Sequence, residues 1–504
     1  MTVMNGLRRA VRAHGDRVAV IDGERRLTYK ELYARALRCG QALRNLGVER
    51  GDRVGVLMVN SPRYLELYFG TAAIGAAIVP VNIRWSAGDI EFSIRDSGAK
   101  VFVVDETFSK VRCESVAVHI GPDDYEPLIA AAEPIEEPDC EEDDLAGLFY
   151  TSGTTGGPKG VMLTHRNLFT HALIMIAELG VSPDWTYLHA APMFHLANGA
   201  LMYAIAFKGA VNVFLPSFDP EGALRAIELH KVTASVMVPT MWNAMVNHPK
   251  VDAYDTSSLA CALYGASPMP VELLRRCTAR FGPVFIQAYG MTETSPVMTV
   301  LLKDEHSFEN LDSKFTPVKS AGRPVMGVDV RIFDDNDREV PQGETGEIVM
   351  RGPTRMKGYW NRPEANDVVL RGGWMHTGDM GAVDERGFVD ILDRKKDMIK
   401  TGGENVYSPE VESLLMSHPA VLEAVVFGVP DARWGETIKA AVVIRPGCES
   451  TADEVIGYCR DRLTKFKCPT SVDFHAALPK GGTGKILKNV LRQPYWEGRD
   501  RGVN

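Results

Sequence analysis

A chain of 504 residues, 45% apolar and 24% charged, has the makeup of a soluble globular protein with more than one domain. Its net charge of −9, with the signs interspersed, argues against a nucleic-acid scaffold and gives no reason to expect nucleic acid as a partner. Eight scattered cysteines with no CxxC pair argue against a zinc site or a disulfide framework and fit a reducing cytoplasm.

The opening stretch, MTVMNGLRRAVRAHGDRVAV, lacks the apolar core of a signal peptide, and the closing Gly502-Val503-Asn504 carries no peroxisomal address. The longest apolar runs, near Thr71–Val81 and Leu196–Phe207, fall short of the about 20 residues that cross a bilayer. A cytoplasmic protein without a transmembrane segment is expected. Its oligomeric state is left open, a homodimer included.

Thr28 to Gly47 reads as a helix, with Thr28 as N-cap, Glu31 completing a capping box, and Leu32, Ala36, Cys39, Leu43 and Leu46 on one face. Arg53–Met58 reads as a buried strand, Ser61-Pro62 opens a further helix, and Val101–Val104 is another strand. The acidic run Glu133–Asp144 reads as a solvated connection into the core strand Leu145–Tyr150. Helices and strands alternate to about residue 320, which predicts α/β layers. From Ala321 the texture changes to short β-like runs, Val328–Phe333, Glu347–Met350 and Phe388–Leu392. After the charged break Asp393–Asp397 comes a segment with its own helix (Ser408 as cap, Pro409 in the first turn) and its own strands, Val421–Val429 and Ile438–Ile444. The expected fold is α/β: residues 1–395 as a large domain of layered α/β subdomains plus a small β subdomain, and residues 396–504 as a small α+β domain.

The stretch with the most chemistry is YTSGTTGGPKGVMLTH, residues 150–165. Glycines let a backbone turn tightly and aim N–H groups at a ligand, while hydroxyls and a lysine add donors and charge. Such a loop can wrap a polyphosphate, though a loop of this composition is also what a flexible linker looks like. It differs from the common P-loop, because Lys159 precedes Gly160 and no Ser or Thr follows the lysine to ligate magnesium.

Five segments in order, YTSGTTGGPKG (150–160), YGMTE (289–293), TGD (377–379), DRKKDMIKTGGENVY (393–407) and PKGGTGK (479–485), resemble the acyl-adenylate-forming superfamily. That superfamily holds acyl-CoA synthetases, 4-coumarate-type CoA ligases, firefly luciferases and peptide-synthetase adenylation domains. The resemblance spans nearly the whole chain and implies ATP, Mg²⁺ and coenzyme A, with a C-terminal domain that moves.

It also implies roles. Thr151, Ser152, Gly153, Thr154, Thr155, Gly156 and Lys159 would hold the phosphates. Gly265, Ala266 and Ser267 would pave the adenine and acyl pockets, Tyr289 would stack near the adenine, and Gly290 would let the acyl group pass. Glu293, with Thr292 beside it, would give Mg²⁺ an oxygen ligand. Asp379 would accept from both ribose hydroxyls, and Arg394 would add a donor. Lys396 would be the hinge; Gly402, Gly403, Lys400 and Asn405 would face the coenzyme A side. Lys485 would be the catalytic lysine of the first step. Taken singly, a glutamate on a turn, a Gly-Asp turn or a lysine in a glycine-rich loop is more often plain surface.

Pro192–His195 resembles the family's acyl gate, with His195 as a pocket wall; a buried core histidine is the alternative. The window Pro192–Ala210 has no Asp or Glu to pair an amino acid's ammonium, and the neighbouring pocket segments have no cation for a second carboxylate. Ala197 stands where phenol-recognising relatives carry Tyr. Leu196, Met202, Val238, Met241, Met291, Val297 and Met298 make the lining apolar. These features predict an AMP-forming acyl-CoA synthetase for a neutral, hydrophobic carboxylic acid, a medium- or long-chain fatty acid first and an aryl or alicyclic acid second. An acyl-AMP ligase or an oxygenase that does not use coenzyme A is the competing expectation.

Overall fold

Thr28 and Glu31 cap the helix Tyr29–Asn45 reciprocally: Thr28 N–H donates to the Glu31 carboxylate at 2.7 Å, and Glu31 N–H donates to Thr28 Oγ1 at 3.3 Å. Leu32, Ala36, Cys39 and Leu43 are buried on its inner face, and Gly47 follows the helix with φ +85°. The helix lies against Pro62–Ala73, which is buried on every side except at Arg63. Glycines set the crossing: a Cβ on Gly70 would lie 2.7 Å from Cys39 Sγ, and one on Gly40 would lie 3.0 Å from the Gly70 carbonyl oxygen.

The computed structural model describes residues 1–136, 138–151, 158–309, 311, 316–480 and 486–497. It divides into two compact units, residues 1–330 with 350–375, and residues 331–349 with 376–504.

The first unit holds two mixed sheets. One has seven strands in the order Gly358–Tyr359, Lys159–Thr164, Leu145–Thr151, Ala77–Pro80, Arg53–Leu57, Val101–Val104, Val118–Ile120. Its four inner pairings from Leu145–Thr151 onward are parallel; the hairpin to Lys159–Thr164 and the edge strand are antiparallel. The other has nine strands, with Thr186–His189, Ala234–Val236, Cys261–Gly265 and Phe285–Tyr289 parallel at its centre. Trp242 is fully buried beneath that sheet, between Phe281 and Phe285, and its indole N–H donates to the Leu263 carbonyl at 3.2 Å.

The acidic connection before Leu145 is more than a solvated face. Arg50 pairs with Glu141 at 3.1 Å and Asp144 at 2.9 Å, and Arg166 pairs with Glu142 at 2.8 Å and Asp143 at 3.1 Å. These exposed pairs fix the path of the segment and add little stability each.

The second unit carries most of a four-stranded sheet, Asp329–Phe333, Gly346–Arg351, Met375–Val383 and Val389–Arg394, of whose strands the first three each have an end residue or two in the first unit. A further sheet follows, built on Val421–Asp431 and Gly435–Ile444 with the helices Ser408–Met416, Ala452–Arg460 and Lys488–Trp496. Ser408 does not cap its helix as the sequence suggests. Tyr407 holds the cap position, and the Ser408 N–H and hydroxyl both go to the buried Asp393 carboxylate, each at 2.7 Å.

Asp393 belongs to a charged cluster. Lys488, on the last helix, pairs with Glu412 at 2.8 Å and donates to Ser408 Oγ. One turn on, Arg492 pairs with Asp397 at 3.1 Å and donates to the Lys396 carbonyl at 3.3 Å. Burial pushes the Asp393 carboxyl up, whereas Asp397 is held below its usual range despite burial by Lys488, Lys396 and Arg492. Burial works against the charge on Lys488, but Glu412 and Asp393 outweigh it and raise its pKa. Lys396, at the expected hinge, is pushed down to about 8 by burial.

Among the described residues no helix is long and apolar enough to cross a membrane. All eight cysteines are free thiols.

Candidate active site

Thr151 ends the strand that enters the glycine-rich loop, and Lys159 stands opposite it at the start of the returning strand. Ser152, Gly153, Thr154, Thr155 and Gly156 lie outside the described residues. The entering strand is anchored one residue earlier. The Tyr150 hydroxyl donates to Asp96 at 2.7 Å, and Arg362 pairs with the same carboxylate at 2.8 Å. Burial, and then Asp96, push the Tyr150 phenol above its usual range.

Lys159 Nζ lies 5.2 Å from the centre of the Tyr359 ring, and the Tyr359 hydroxyl donates to Glu293 Oε1 at 2.7 Å. Glu293 is only 5% exposed. It sits on the short turn Thr292–Thr294, where its carbonyl accepts the Met356 N–H at 2.9 Å. A buried carboxylate, an aromatic hydroxyl and an ammonium are thus lined up from three segments far apart in the chain. Nothing in the sequence reading marked Tyr359. The nearest signal was its place in Gly358-Tyr359, where Gly358 takes φ +148° and Tyr359 joins the edge of the strand that begins at Lys159.

The central parallel strands bring the next group together. Gly265 and Ala288 are register partners, so Gly265–Ser267 and Tyr289–Glu293 leave adjacent strands at their C-terminal ends, the usual ligand side of such a sheet. A Cβ on Gly265 would lie 2.2 Å from the Ala288 carbonyl oxygen, and one on Gly290 would lie 2.1 Å from that of Pro296. Backbone packing alone demands glycine at both places, whatever passes beside them. Ala266 holds φ +64°, a conformation that non-glycine residues seldom take and that clusters at functional sites.

His195 precedes the helical turn Leu196–Gly199, and its Nδ1 accepts the Ala197 N–H at 3.3 Å. That bond puts the proton of a neutral ring on Nε2, and burial lowers the ring's pKa, which favours that neutral form. Leu196, Met202, Val297 and Met298 are buried, while Val238, Met241 and Met291 are half-buried. Met241 packs against the core around Trp242.

Within the second unit, Asp379 and Arg394 face each other across antiparallel strands, with Arg394 Nε 3.4 Å from Asp379 Oδ1. Asp379 is on a strand and not on the turn that Gly-Asp suggests. Gly378, at φ +71°, bends that strand, and its N–H donates to Glu347 Oε1 at 3.1 Å. The Glu347 carboxylate also lies 3.3 Å from His376 and 3.7 Å from Lys395. Glu347, which the sequence reading passed over, therefore holds the bend that presents Asp379. Glu347→Ala leaves the Gly378 N–H without its acceptor, a loss of about 1–3 kcal/mol when buried. It is expected to raise the KM for ATP about tenfold, and Glu347→Gln, which keeps an acceptor oxygen, to recover most of that. An ATP titration of pyrophosphate exchange checks both variants.

Lys400 and Asn405 are opposed in the hairpin Ile399–Thr401/Glu404–Val406 and both are exposed. Gly402 and Gly403 form its two-residue turn at φ +59° and +89°, the pair of positive angles such a tight turn needs. Lys485 lies outside the described residues. Of the described residues on either side of it, Lys480 pairs with Ile486 in a bridge and the Leu487 N–H donates to the Pro479 carbonyl at 2.8 Å.

The model for the AMP-binding enzyme matches residues 7–360, and that for the AMP-binding enzyme C-terminal domain matches residues 410–485. The chain belongs to the AMP-binding enzyme family. It is 42% identical over 480 residues to a feruloyl-CoA synthase of Amycolatopsis sp, covering 95% of this chain and 96% of that one. It is 36% identical over 480 residues to a long-chain-fatty-acid–CoA ligase of Mycobacterium tuberculosis, covering 93% of each. The o-succinylbenzoate CoA synthetase of Bacillus subtilis, solved with the acyl-adenylate intermediate OSB-AMP, superposes with a TM-score of 0.87 at 33% identity, over 97% of both chains. The α/β fold with a distinct C-terminal domain is that of the adenylate-forming enzymes, and this member of the family is an AMP-forming acid–CoA ligase.

Proposed function

We propose that the chain activates a neutral, hydrophobic carboxylic acid with ATP and passes it to coenzyme A in the cytoplasm. In the first step a carboxylate oxygen attacks the α-phosphorus of ATP and pyrophosphate leaves, giving acyl-AMP. In the second the thiolate of coenzyme A attacks the acyl carbonyl and AMP leaves. The acid already arrives as a carboxylate, so no protein base is needed, and a neutral His195 suits a wall of the acyl pocket. Positioning and charge neutralisation carry the first step.

Lys159 and the glycine-rich loop bind the phosphates, Asp379 and Arg394 hold the ribose, and Lys485 reaches the α-phosphate and the carboxylate. Thr292 stands beside Glu293 on the same turn. Bound Mg²⁺ would supply positive charge at the phosphates. Glu293 fits that ion: Mg²⁺ commonly takes only one or two protein carboxylates, and this one is buried and held by the Tyr359 hydroxyl beside Lys159. Lys396, which lies inside the second unit, is the pivot on which residues 396–504 turn between the steps, bringing Lys400, Gly402, Gly403 and Asn405 to the coenzyme A side.

The observation that carries the substrate class is the absence of Arg and Lys from the pocket segments His195–Tyr203, Val238–Trp242, Gly265–Pro268 and Met291–Met298. A second carboxylate would have no partner there. For the tail, the likeness to feruloyl-CoA synthase supports an aryl acid as the first to test, ahead of the fatty acid that the apolar lining suggests by itself. Ala197 argues for an aryl ring without a recognised phenol.

The test is AMP and acyl-CoA formation from aryl acids, fatty acids of graded length and the dicarboxylate 2-succinylbenzoate, with products read by mass spectrometry. Monocarboxylates are expected to exceed the dicarboxylate in kcat/KM by at least a hundredfold. A preference for the dicarboxylate would end the neutral-pocket reading, and acyl-AMP without acyl-CoA would move the assignment to a ligase with another acceptor.

A further inference from the structure

Where the strand Thr186–His189 ends, the chain turns through Ala190–Phe194 to deliver His195. Backbone groups there have lost the sheet ladder and need other partners. Side-chain amides supply them. Asn60 Nδ2 donates to the carbonyls of His189 at 3.0 Å, Ala191 at 2.9 Å and Leu215 at 3.1 Å, and Asn60 Oδ1 accepts the Met193 N–H at 2.7 Å. Asn198 Nδ2 donates to the Ala191 carbonyl at 2.5 Å. Asn198 Oδ1 takes the Tyr187 hydroxyl at 2.9 Å and lies 3.1 Å from His189 Nδ1. On the far side of the turn, the Tyr68 hydroxyl donates to the Met193 carbonyl at 3.0 Å.

Asn198 and His189 are fully buried and Asn60 is 4% exposed. Three amide and hydroxyl side chains in an apolar interior are there for the turn, because they satisfy its carbonyls and N–H groups from both sides. A second glycine constraint tightens it: a Cβ on Gly199 would lie 2.6 Å from the Met193 carbonyl oxygen and 2.7 Å from the Tyr68 hydroxyl. Buried hydrogen bonds that grip a turn from both sides favour one geometry over a family of them.

We propose that Asn60 and Asn198 are positioning residues for the acid: by fixing the Ala191–Phe194 turn they set where His195 and Leu196 stand, and so which acid tails the enzyme accepts. The inference rests on the reading that this segment walls the acyl pocket. Among the described residues, the side-chain hydrogen bonds of both go to this turn and to the strands beside it.

Asn60→Ala, Asn198→Ala and the milder Tyr68→Phe test it. Pyrophosphate exchange is measured with acids of graded tail size and, separately, with graded ATP. The two alanine variants are expected to shift the KM for the preferred acid at least tenfold and to reorder the acids by size, with the KM for ATP within twofold. Tyr68→Phe, which removes a single bond to the turn, is expected to shift the acid order in the same sense by about threefold. Acid and ATP constants moving together, or a lower kcat with the acid order of the parent, would overturn the proposal. If the alanine variants do not fold, Tyr68→Phe decides alone, and an unchanged acid order then refutes it. His195→Ala keeps the two levels apart, since an unaltered acid order in that variant defeats the pocket-wall reading itself.

Discussion

Lys485→Ala is expected to slow acyl-AMP formation by about 10²–10³-fold, the usual loss when one preorganised charge-stabilising group is removed. Thioester formation from supplied acyl-AMP is expected to stay within twofold. The reason for the asymmetry is electrostatic. Only the first step brings a carboxylate against a phosphate chain, and only there does an added ammonium cancel developing repulsion. Lys480 and Ile486, on either side of it in the chain, pair in a bridge that does not use the Lys485 side chain. Rapid-mix measurement of each half-reaction separately is the check. Equal losses in both would mean a structural role, and normal pyrophosphate exchange would remove Lys485 from the mechanism.

The second large effect is expected at Glu293. Glu293→Gln keeps the shape and an oxygen that can accept the Tyr359 hydroxyl, yet removes the charge. A fall of about a hundredfold in kcat/KM is expected, together with a rise in the Mg²⁺ concentration needed for half-maximal rate. Tyr359→Phe leaves the charge and removes only its orienting hydroxyl, so a loss of about tenfold is expected, in line with roughly 1.5 kcal/mol for a hydrogen bond to a charged group. Magnesium titrations of the three proteins distinguish the cases. A Glu293→Gln enzyme with the parent's Mg²⁺ dependence would rule out the carboxylate as a metal ligand.

How much of this was legible beforehand depended on whether the physical cause was local. The capped helix Tyr29–Asn45 was readable because its cap, its apolar face and its terminating glycine all lie within twenty residues. Val101–Val104 was readable because a buried parallel strand is a plain apolar run. The strand Met375–Val383 was not. Its sequence MHTGDMGAV breaks the alternation with a bent glycine and buried polar groups, and the same residues that hide the strand place Asp379 opposite Arg394. Motif order gave the chemical class and most of the residues to examine. It could not give Tyr359, Glu347, Asn60 or Asn198, because a buried, fully bonded polar side chain reads like a surface one until its partners, tens or hundreds of residues away, are known. The acid's tail was legible only as the absence of charge.

The cluster around Asp393 bears on where this chain can be shortened. A polypeptide ending just after Lys485 would retain every residue expected to touch substrate. It would also lose Lys488 and Arg492, leaving the buried Asp393 and the half-buried Glu412 without Lys488, and the half-buried Asp397 with only Lys396 and Arg394 beside it. Removing one partner of a buried ion pair costs about 3–5 kcal/mol, against a total margin of about 5–15 kcal/mol for an ordinary domain. Such a fragment would be chemically complete on paper and unstable in the tube. The helix Lys488–Trp496 holds that charge cluster together, and a shortened chain must keep it.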